Sequence, residues 1–348
     1  MTTYIVTGAY GHLGSTIITE LKKQNKKVRG LVLTGEKPVI EQSAFDGVDI
    51  IEGDVRDINS LERLFDFNGE KTVIHTAGIV SIENKINKKM YDVNVTGTSN
   101  VIAMCEKHNA RLTHVSSVHA IPDRPKGKKI VEIKDFDPKK LKGGYAKTKA
   151  IATALVLDAA NRGLNASVVM PSGIIGPFDN GRNHLVAMIK DFLAGKLRAV
   201  VKGGYDVVDV RDVAKACVTA TDKARKGETY ILSNAYISIK SLCDYISEIS
   251  NVKPIKNVLP IWFAYMFSPL CEAYYKVRGV RPLYTAYSLT VVMSNGELDH
   301  SKAAAELNFK PRDLKVSIAD TVKWLTSHYV FNAPKYLLKP VKKNPAKS

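Results

Sequence analysis

Residues 4–14 decide the fold, and they read Tyr-Ile-Val-Thr-Gly-Ala-Tyr-Gly-His-Leu-Gly. The β-branched run over 4–7 predicts a strand, and the spacing of Ile17, Ile18 and Leu21 predicts one face of a helix. The glycines between them permit a tight turn, let a pyrophosphate approach the backbone and allow close helix–strand packing. The phosphates would then lie at the positive end of the helix. The stretch therefore predicts a dinucleotide-binding turn. Its members are Gly8, Tyr10, Gly11, His12, Leu13 and Gly14.

The first half of the chain alternates short apolar runs with helical patterns. Strands are predicted over residues 4–7, 27–33, 49–52, 72–76, 111–116 and 166–170. Helices are predicted over residues 15–23, 60–65, 94–108 and 145–161. This alternation is typical of an α/β fold with a doubly wound parallel sheet. We expect a dinucleotide-binding domain over 1–171 with return elements near 203–233, an interleaved and mainly substrate-binding region over 172–330, and a fraying basic tail over 331–348.

The composition describes an ordinary folded protein with a strong positive charge. The 348 residues include 51 lysines and arginines against 34 acidic residues, a net charge of +17. Such a surface can attract phosphorylated ligands, nucleic acid or anionic lipid. The cysteines lie far apart, which argues against a zinc site or a disulfide framework and suits a reducing cytosol. The start of the chain reads as a strand, so no secretion signal is visible. We also predict no metal site.

Several segments resemble the extended branch of the short-chain dehydrogenase/reductase superfamily, which includes NAD-dependent epimerases and dehydratases. The glycine turn has the spacing Gly-x-x-Gly-x-x-Gly, residues 52–57 read Glu-Gly-Asp-Val-Arg-Asp, residues 75–78 read His-Thr-Ala-Gly, and residues 171–177 read Pro-Ser-Gly-Ile-Ile-Gly-Pro. The resemblance implies a Rossmann fold that binds NAD or NADP. It assigns further cofactor contacts to Asp54, Val55, Thr76, Ala77, Gly78, Tyr145, Lys149, Pro171 and Ser172.

The choice between NAD and NADP stays open at this point. An acidic residue at the end of the second strand favours NAD, whereas an arginine accommodates the 2′-phosphate of NADP. This chain has Leu33 there, followed by Thr-Gly-Glu-Lys over 34–37, and Arg29 lies several residues earlier. Neither rule therefore applies.

A tyrosine and a lysine begin the fourth predicted helix. Tyr145 and Lys149 are four residues apart, so they lie on one helix face, one turn apart. A tyrosine normally titrates near ~10, and a nearby ammonium together with an oxidised nicotinamide lowers that pKa. We predict Tyr145 as the acid/base and Lys149 as its partner. The resemblance adds Ser117, with Ser116 second, as the group that hydrogen-bonds the substrate oxygen, and Asn94 as a proton relay toward the lysine.

The rest of the chain favours a hydrophobic substrate. Val118-His119 and residues 204–207 depart from the patterns of dehydratases and sugar-nucleotide epimerases. Residues 259–275 are rich in aromatics and methionine, which suits a pocket for a flat ligand, ordinary core or a membrane-contacting patch. Residues 282–285 and 299–311 resemble the 3β-hydroxysteroid dehydrogenase and dihydroflavonol-reductase-like groups.

The resemblance implies an NAD(P)-dependent oxidoreductase that transfers a hydride between nicotinamide and a hydrophobic secondary alcohol or ketone, either hydroxysteroid-like or flavonoid- or aldehyde-like. A nucleotide-sugar 4-epimerase with tightly bound NAD is one alternative, and a non-catalytic NAD(P)-binding regulatory module is another. Nucleic acid is not expected as a partner, because no basic helix interleaved with aromatics is visible. We expect a cytoplasmic protein and, by resemblance, a homodimer, with peripheral membrane contact as an open alternative.

Overall fold

A computed structural model describes residues 2–179, 183–268, 286–334 and 337–339 of the chain. Its strands are β1 (Thr3–Thr7), β2 (Lys27–Val32), β3 (Asp49–Glu52), β4 (Lys71–His75), β5 (Arg111–Val115), β6 (Ala166–Pro171), β7 (Gly173–Ile175), β8 (Val200–Val201), β9 (Gly204–Asp209), β10 (Thr229–Leu232), β11 (Ala235–Ser238) and β12 (Val258–Leu259). Its α-helices are α1 (His12–Lys23), α2 (Ile58–Phe65), α3 (Lys88–Tyr91), α4 (Gly97–Lys107), α5 (Gly144–Arg162), α6 (His184–Leu193), α7 (Val210–Lys223), α8 (Ile239–Ile249), α9 (residues 261–268), α10 (Ala286–Met293), α11 (Ser301–Leu307) and α12 (Leu314–His328).

Seven parallel strands form the main sheet, in the order β10-β6-β5-β4-β1-β2-β3. Every residue of β1 and β4 is buried, as expected for strands that are covered on both faces. The strand order reverses between β1 and β4, and ligands bind outside the carboxyl ends of the strands at such a point. The predicted doubly wound parallel sheet is confirmed, and it places the glycine turn after β1 at this crevice.

Two apolar layers hold helices against the two faces of the sheet. On one face, Leu61 of α2 and Val156 of α5 belong to a single core cluster. On the other face, Ile18 of α1 and Cys217 of α7 belong to a second cluster. The burial of Ile17, Ile18 and Leu21 in α1 matches the helix face expected from the sequence, whereas the first turns of α5 are buried on several faces.

The later part of the chain returns to the main sheet in a different way from the one expected. The strand near residue 207, β9, pairs with β7 and β11 in a separate three-stranded sheet. Helix α7 covers the main sheet, and β10 extends it by pairing with β6. A third apolar cluster joins α6, α8, α10 and α12 to the small sheets.

The basic tail is attached where the structure describes it, although we expected it to fray. Leu338 forms an antiparallel bridge with Val252. The backbone N–H of Lys253 donates to the carbonyl oxygen of Leu337 at 2.8 Å. These backbone bonds give residues 337–338 the partners that a frayed segment lacks, and residues 340–348 lie outside the described part of the chain.

Within the described ranges, no helix is long and apolar enough to cross a membrane. The same ranges contain no cluster of three side chains that could hold a metal ion. Cys105, Cys217 and Cys243 are buried free thiols, and Cys271 falls outside the described residues.

Candidate active site

The glycine turn is closed so tightly that larger residues would collide. Gly8 has a φ of +69°, and a Cβ there would lie 3.0 Å from Cα of Ala77. A Cβ on Gly14 would lie only 2.1 Å from the carbonyl oxygen of Gly8. Helix α1 begins after Gly11 with no side-chain cap and no acidic residue in its first turn. Its first N–H groups therefore point at the place where a phosphate would bind, and the turn fits a dinucleotide.

The three non-glycine members of the turn direct their side chains elsewhere. Tyr10 packs edge-on against Phe45, with ring centroids 4.7 Å apart. Nε2 of His12 lies 2.8 Å from the carbonyl oxygen of Pro177, and Leu13 packs against a core cluster. Any contact of Tyr10, His12 and Leu13 with a phosphate must therefore come from their backbone.

A second turn connects the glycine turn to the residues predicted as catalytic. The hydroxyl of Thr76 donates to the carbonyl oxygen of Thr7 at 2.7 Å, and the N–H of Ala77 donates to the Thr7 hydroxyl at 3.3 Å. A Cβ on Gly78 would lie 3.4 Å from Nζ of Lys149. Thr76, Ala77 and Gly78 thus form one continuous backbone surface from the pyrophosphate side of the crevice to Lys149.

Asp54 and Val55 lie at the far end of the crevice, after β3. Nη2 of Arg56 lies 2.6 Å from Oδ2 of Asp54, and this bond is the main reason why the pKa of Asp54 lies below its usual range. Val55 is buried, and its carbonyl oxygen accepts a hydrogen bond from Asn100 at 3.0 Å. Asp54 borders two surface cavities of about 380 and 480 Å³.

Ser117, Tyr145 and Lys149 meet in one buried site, with exposed fractions of 5%, 8% and 6%. Helix α5 begins at Gly144, so Tyr145 and Lys149 occupy its first two turns. Nζ of Lys149 donates to the carbonyl oxygen of Val115 at 2.8 Å. Because Val115 ends β5, this bond holds the lysine against the strand that leads to Ser117.

Burial is the main influence on the pKa values of Tyr145 and Lys149. Burial raises the pKa of Tyr145 to about 12, and an interaction with the Ser117 hydroxyl acts in the opposite direction. Burial lowers the pKa of Lys149 to about 8. The lowered tyrosine pKa expected from the sequence depends on an oxidised nicotinamide beside the ammonium, and it stays a prediction; in the protein alone, loss of solvation opposes the phenolate. At neutral pH Tyr145 is therefore a phenol that can act as a proton donor.

Two neutral histidines lie close to Lys149. His75 on β4 and His114 on β5 are register partners, and their ring centroids are 5.3 Å apart. The ring of His75 bonds the hydroxyls of Thr7 and Thr98, at 2.7 and 3.0 Å. Burial, and then the charge of Lys149, lower the pKa of His75 to about 3 and hold that of His114 well below its usual range. Neither ring competes with the positive charge of Lys149 at neutral pH.

Asn94 is positioned by a local break in its helix. It lies in a π-helical turn, Asp92–Thr96, at the start of the helix expected over 94–108; such turns are frequent at functional sites. Its amide oxygen accepts from the N–H of Ile79 at 2.7 Å, and its Nδ2 donates to Oγ1 of Thr148 at 3.1 Å. A Cβ on Gly78 would lie 3.3 Å from this amide oxygen, so Asn94 borders the same backbone surface as Lys149.

Of the two neighbouring serines after β5, only one faces the predicted site. Ser116 points away from the site, because its hydroxyl lies 2.6 Å from that of Thr153 on α5. This leaves Ser117 as the serine that faces the site.

Pro171 ends β6, and the N–H of Ser172 donates to the carbonyl oxygen of Leu232 at 3.0 Å. Pro171 and Ser172 therefore stand at the carboxyl edge of the same sheet.

Two residues beside Tyr145 were missed by the sequence interpretation. The ring of His119 lies 6.2 Å from that of Tyr145, and burial lowers its pKa. Tyr287 of α10 packs on the start of α5, where a Cβ on Gly143 would lie 2.2 Å from its ring. Burial, and then the charge of Tyr145, raise the pKa of Tyr287 to about 12. Nearness to Ser117 could have pointed to His119, but no local signal pointed to Tyr287.

Known proteins with similar sequences support this description. Residues 4–233 match the model of the NAD dependent epimerase/dehydratase family. The chain is 30% identical over 331 residues to sterol demethylase protein B of Methylococcus capsulatus, across 92% of this chain and 98% of that protein. It is 30% identical over 335 residues to a putative dihydroflavonol 4-reductase of Synechocystis sp., across 93% of this chain and 95% of that protein. The crystal structure of gox2253 has a TM-score of 0.81 at 26% identity, across 95% of this chain and 99% of that one.

These matches confirm the superfamily that the motifs indicated, and they include the sterol and dihydroflavonol groups that the C-terminal segments resemble. They also confirm the expected class of enzyme, an NAD(P)-dependent oxidoreductase. The chain belongs to the NAD-dependent epimerase/dehydratase family.

Proposed function

We propose that this protein reduces or oxidises a hydrophobic ketone or secondary alcohol, with NAD or NADP as the hydride carrier. One observation carries the proposal: Ser117, Tyr145 and Lys149 share a buried site that adjoins Gly78 at the end of the dinucleotide crevice. A proton donor and an ammonium beside a nicotinamide site are the groups that carbonyl reduction requires.

The residues divide the chemistry between them. A bound nicotinamide supplies or accepts the hydride. During reduction, the Tyr145 phenol gives its proton to the substrate oxygen, while the Ser117 hydroxyl donates a hydrogen bond to that oxygen. The Lys149 ammonium then stabilises the phenolate that remains. Oxidation of an alcohol runs through the same groups in reverse.

The cofactor would be held largely by backbone. The first N–H groups of α1 would hold the pyrophosphate, and the 76–78 backbone would border the nicotinamide ribose. Asp54 and Val55 would lie at the adenine. Asn94 would support Lys149 from the side through its bond to Thr148, and Pro171 and Ser172 would flank the nicotinamide.

The substrate proposal is a flat hydrophobic molecule of the sterol or flavonoid kind. The names of two relatives, a sterol demethylase protein and a dihydroflavonol 4-reductase, support it. His119 and Tyr287 flank Tyr145 and would offer polar contacts to such a molecule near its reacting carbon. The sugar-nucleotide alternative would need a polar pocket for a second nucleotide.

We also propose that α9 rests on an anionic lipid surface. Exposed apolar side chains cover its outer face: Trp262, Phe263, Tyr265, Met266 and Phe267. Exposed Lys253 and Lys256 precede it, and the chain carries a net charge of +17, so an anionic surface is the complementary partner. The Tyr265 hydroxyl lies 3.0 Å from that of Thr290 on α10, the helix that carries Tyr287 to the active site. A hydrophobic substrate could therefore enter from the lipid side.

The test is a substrate panel in which reduced nicotinamide is followed by its absorbance. Steroid ketones, dihydroflavonols, hydrophobic aldehydes and UDP-sugars would each be offered with NADH and with NADPH. Consumption of cofactor with a hydrophobic ketone supports the proposal. Interconversion of UDP-sugars without net cofactor change would support the epimerase instead, and cofactor binding without turnover of any substrate would support the regulatory module. Sedimentation would test the predicted homodimer.

A further inference from the structure

A tight turn after β2 brings a carboxylate back to the end of that strand. The N–H of Glu36 donates to the carbonyl oxygen of Leu33 at 2.9 Å. The N–H of Leu33 in turn donates to Oε2 of Glu36 at 3.3 Å. Gly35, with a φ of +72°, provides the left-handed conformation that the turn needs. The Glu36 carboxylate therefore lies beside the backbone of Leu33, although it comes later in the sequence.

This end of β2 borders the expected position of the adenosine ribose. Strand β2 is the neighbour of β1, which carries the glycine turn, and the end of this strand is where the ribose is contacted in such folds. A cavity of about 480 Å³ opens here. It is lined by Leu33, Thr34, Gly53, Asp54, Asp57, Ser60 and Arg63. Glu36 does not itself line the cavity, but its carboxylate is hydrogen-bonded to the backbone of Leu33, which does.

Charged side chains of both signs lie around the cavity. Arg63 is the cation in its lining, and Arg56 at its border forms an ion pair with Asp54. Asp54, Asp57 and Glu36 oppose these two cations. Lys37 and Lys89 add positive charge nearby, so it is the Glu36 carboxylate itself, beside the ribose, that would repel the roughly two further negative charges of a 2′-phosphate.

We propose that Glu36 selects NAD over NADP. Its carboxylate accepts a hydrogen bond from the ribose 2′-hydroxyl of NAD. The 2′-phosphate of NADP meets a like charge there, and it competes for the Leu33 N–H that the carboxylate already holds. The inference rests on the proposed function only in that a nicotinamide dinucleotide must bind. The exposed Leu33 occupies the position where a selecting side chain was expected, and Glu36 takes over that role through the turn.

The test measures the dissociation constants of NADH and NADPH without substrate, by calorimetry or by nicotinamide fluorescence. We expect the wild-type protein to bind NADH at least about tenfold more tightly than NADPH, since like-charge contacts in an interface cost several kcal/mol. Glu36→Gln keeps an amide oxygen for the Leu33 N–H and removes the charge. It should reduce the preference by about tenfold. Glu41→Gln, at another exposed glutamate of the same loop, should leave the preference unchanged.

Equal binding of both cofactors by the wild type, or tighter binding of NADPH, would overturn the inference. An unchanged preference in Glu36→Gln with a wild-type melting temperature would overturn it as well. Failure of both cofactors to bind would remove the proposed function together with this inference. Failure of the inference alone would leave cofactor binding intact with a different preference.

Discussion

Lys149 donates a hydrogen bond from Nζ to the carbonyl oxygen of Val115 at 2.8 Å, and this bond joins the helix that carries Tyr145 to the strand that leads to Ser117. The bond helps to fix the separation of Ser117 and Tyr145, the two groups that we propose to contact the substrate oxygen. Lys149 therefore links α5 to β5, and it is also the group that we propose as the electrostatic partner of the phenol. Loss of this side chain should disturb the position of Ser117 as well as the ionisation of Tyr145.

Replacing Tyr145 tests the proton donor. Tyr145→Phe removes the hydroxyl and keeps the ring, so it should lower kcat by about 10²- to 10⁴-fold, while NADH affinity stays near the wild-type value. Tyr236→Phe, at a tyrosine that is 48% exposed, is the matched control and should keep full activity. Stopped-flow turnover and a binding titration give the two readouts. Wild-type turnover by Tyr145→Phe would remove the tyrosine from the mechanism.

The rate of reduction should depend on pH through Lys149. Burial lowers the pKa of Lys149 from its ordinary value to about 8, so the ammonium is present below that pH and is lost above it. Reduction should therefore be faster at pH 6–7 than at pH 9, and alcohol oxidation should lose the same support from the ammonium above about pH 8. Rate profiles in both directions measure this. Lys149→Met should lose the alkaline transition and Lys147→Met should keep it; the same transition in both variants would contradict the assignment.

Replacing Asn94 tests its supporting role. Asn94→Ala leaves the N–H of Ile79 and the hydroxyl of Thr148 without this partner, which should cost about 1–3 kcal/mol of unfolding free energy and also lower kcat. Asn100→Ala removes a similar bond, to the carbonyl oxygen of Val55, and should affect stability more than kcat. Denaturation and turnover are measured on both. Equal kcat values in the two variants would reduce Asn94 to a structural role.

The lipid surface proposed for α9 can be tested by flotation with vesicles that contain phosphatidylglycerol. The double variant Trp262→Ser/Met266→Ser removes two of the most exposed apolar groups and should lose most of its binding. Val330→Ser, at a valine that is 89% exposed elsewhere, should bind like the wild type. Added salt should weaken wild-type binding, because the lysines contribute through charge. No flotation of the wild-type protein would refute the proposal.

Much of the fold and part of the site could be predicted because their signals are local. The Gly8–Gly14 turn, the pairing of Tyr145 with Lys149 and the parallel strands each follow from spacing within one short segment. The choice of Ser117 over Ser116 also has a local cause, since neighbouring residues at a strand end face opposite ways.

The rest depends on contacts between distant segments. Tyr287 reaches the site from a helix in the C-terminal region, and the 337–338 segment finds its partners at 252–253. The raised pKa of Tyr145 results from burial by the assembled domain, whereas the sequence interpretation considered the nearby lysine and the nicotinamide but not burial. Glu36 was missed because its role depends on a turn that folds back, and no periodic pattern describes that turn.

Strand β10 belongs to the main sheet but comes late in the sequence, and this affects how the chain folds. The outer neighbour of β6 is formed by residues 229–232. These residues follow β7 and β9 in the sequence, and those two strands pair in another sheet. A polypeptide that ended at residue 171 would therefore present the backbone of β6 as an open edge ready to pair with other molecules. During synthesis, the nucleotide-binding half must wait for a segment of its C-terminal neighbour before it can close, so the two halves should melt and refold as one cooperative unit.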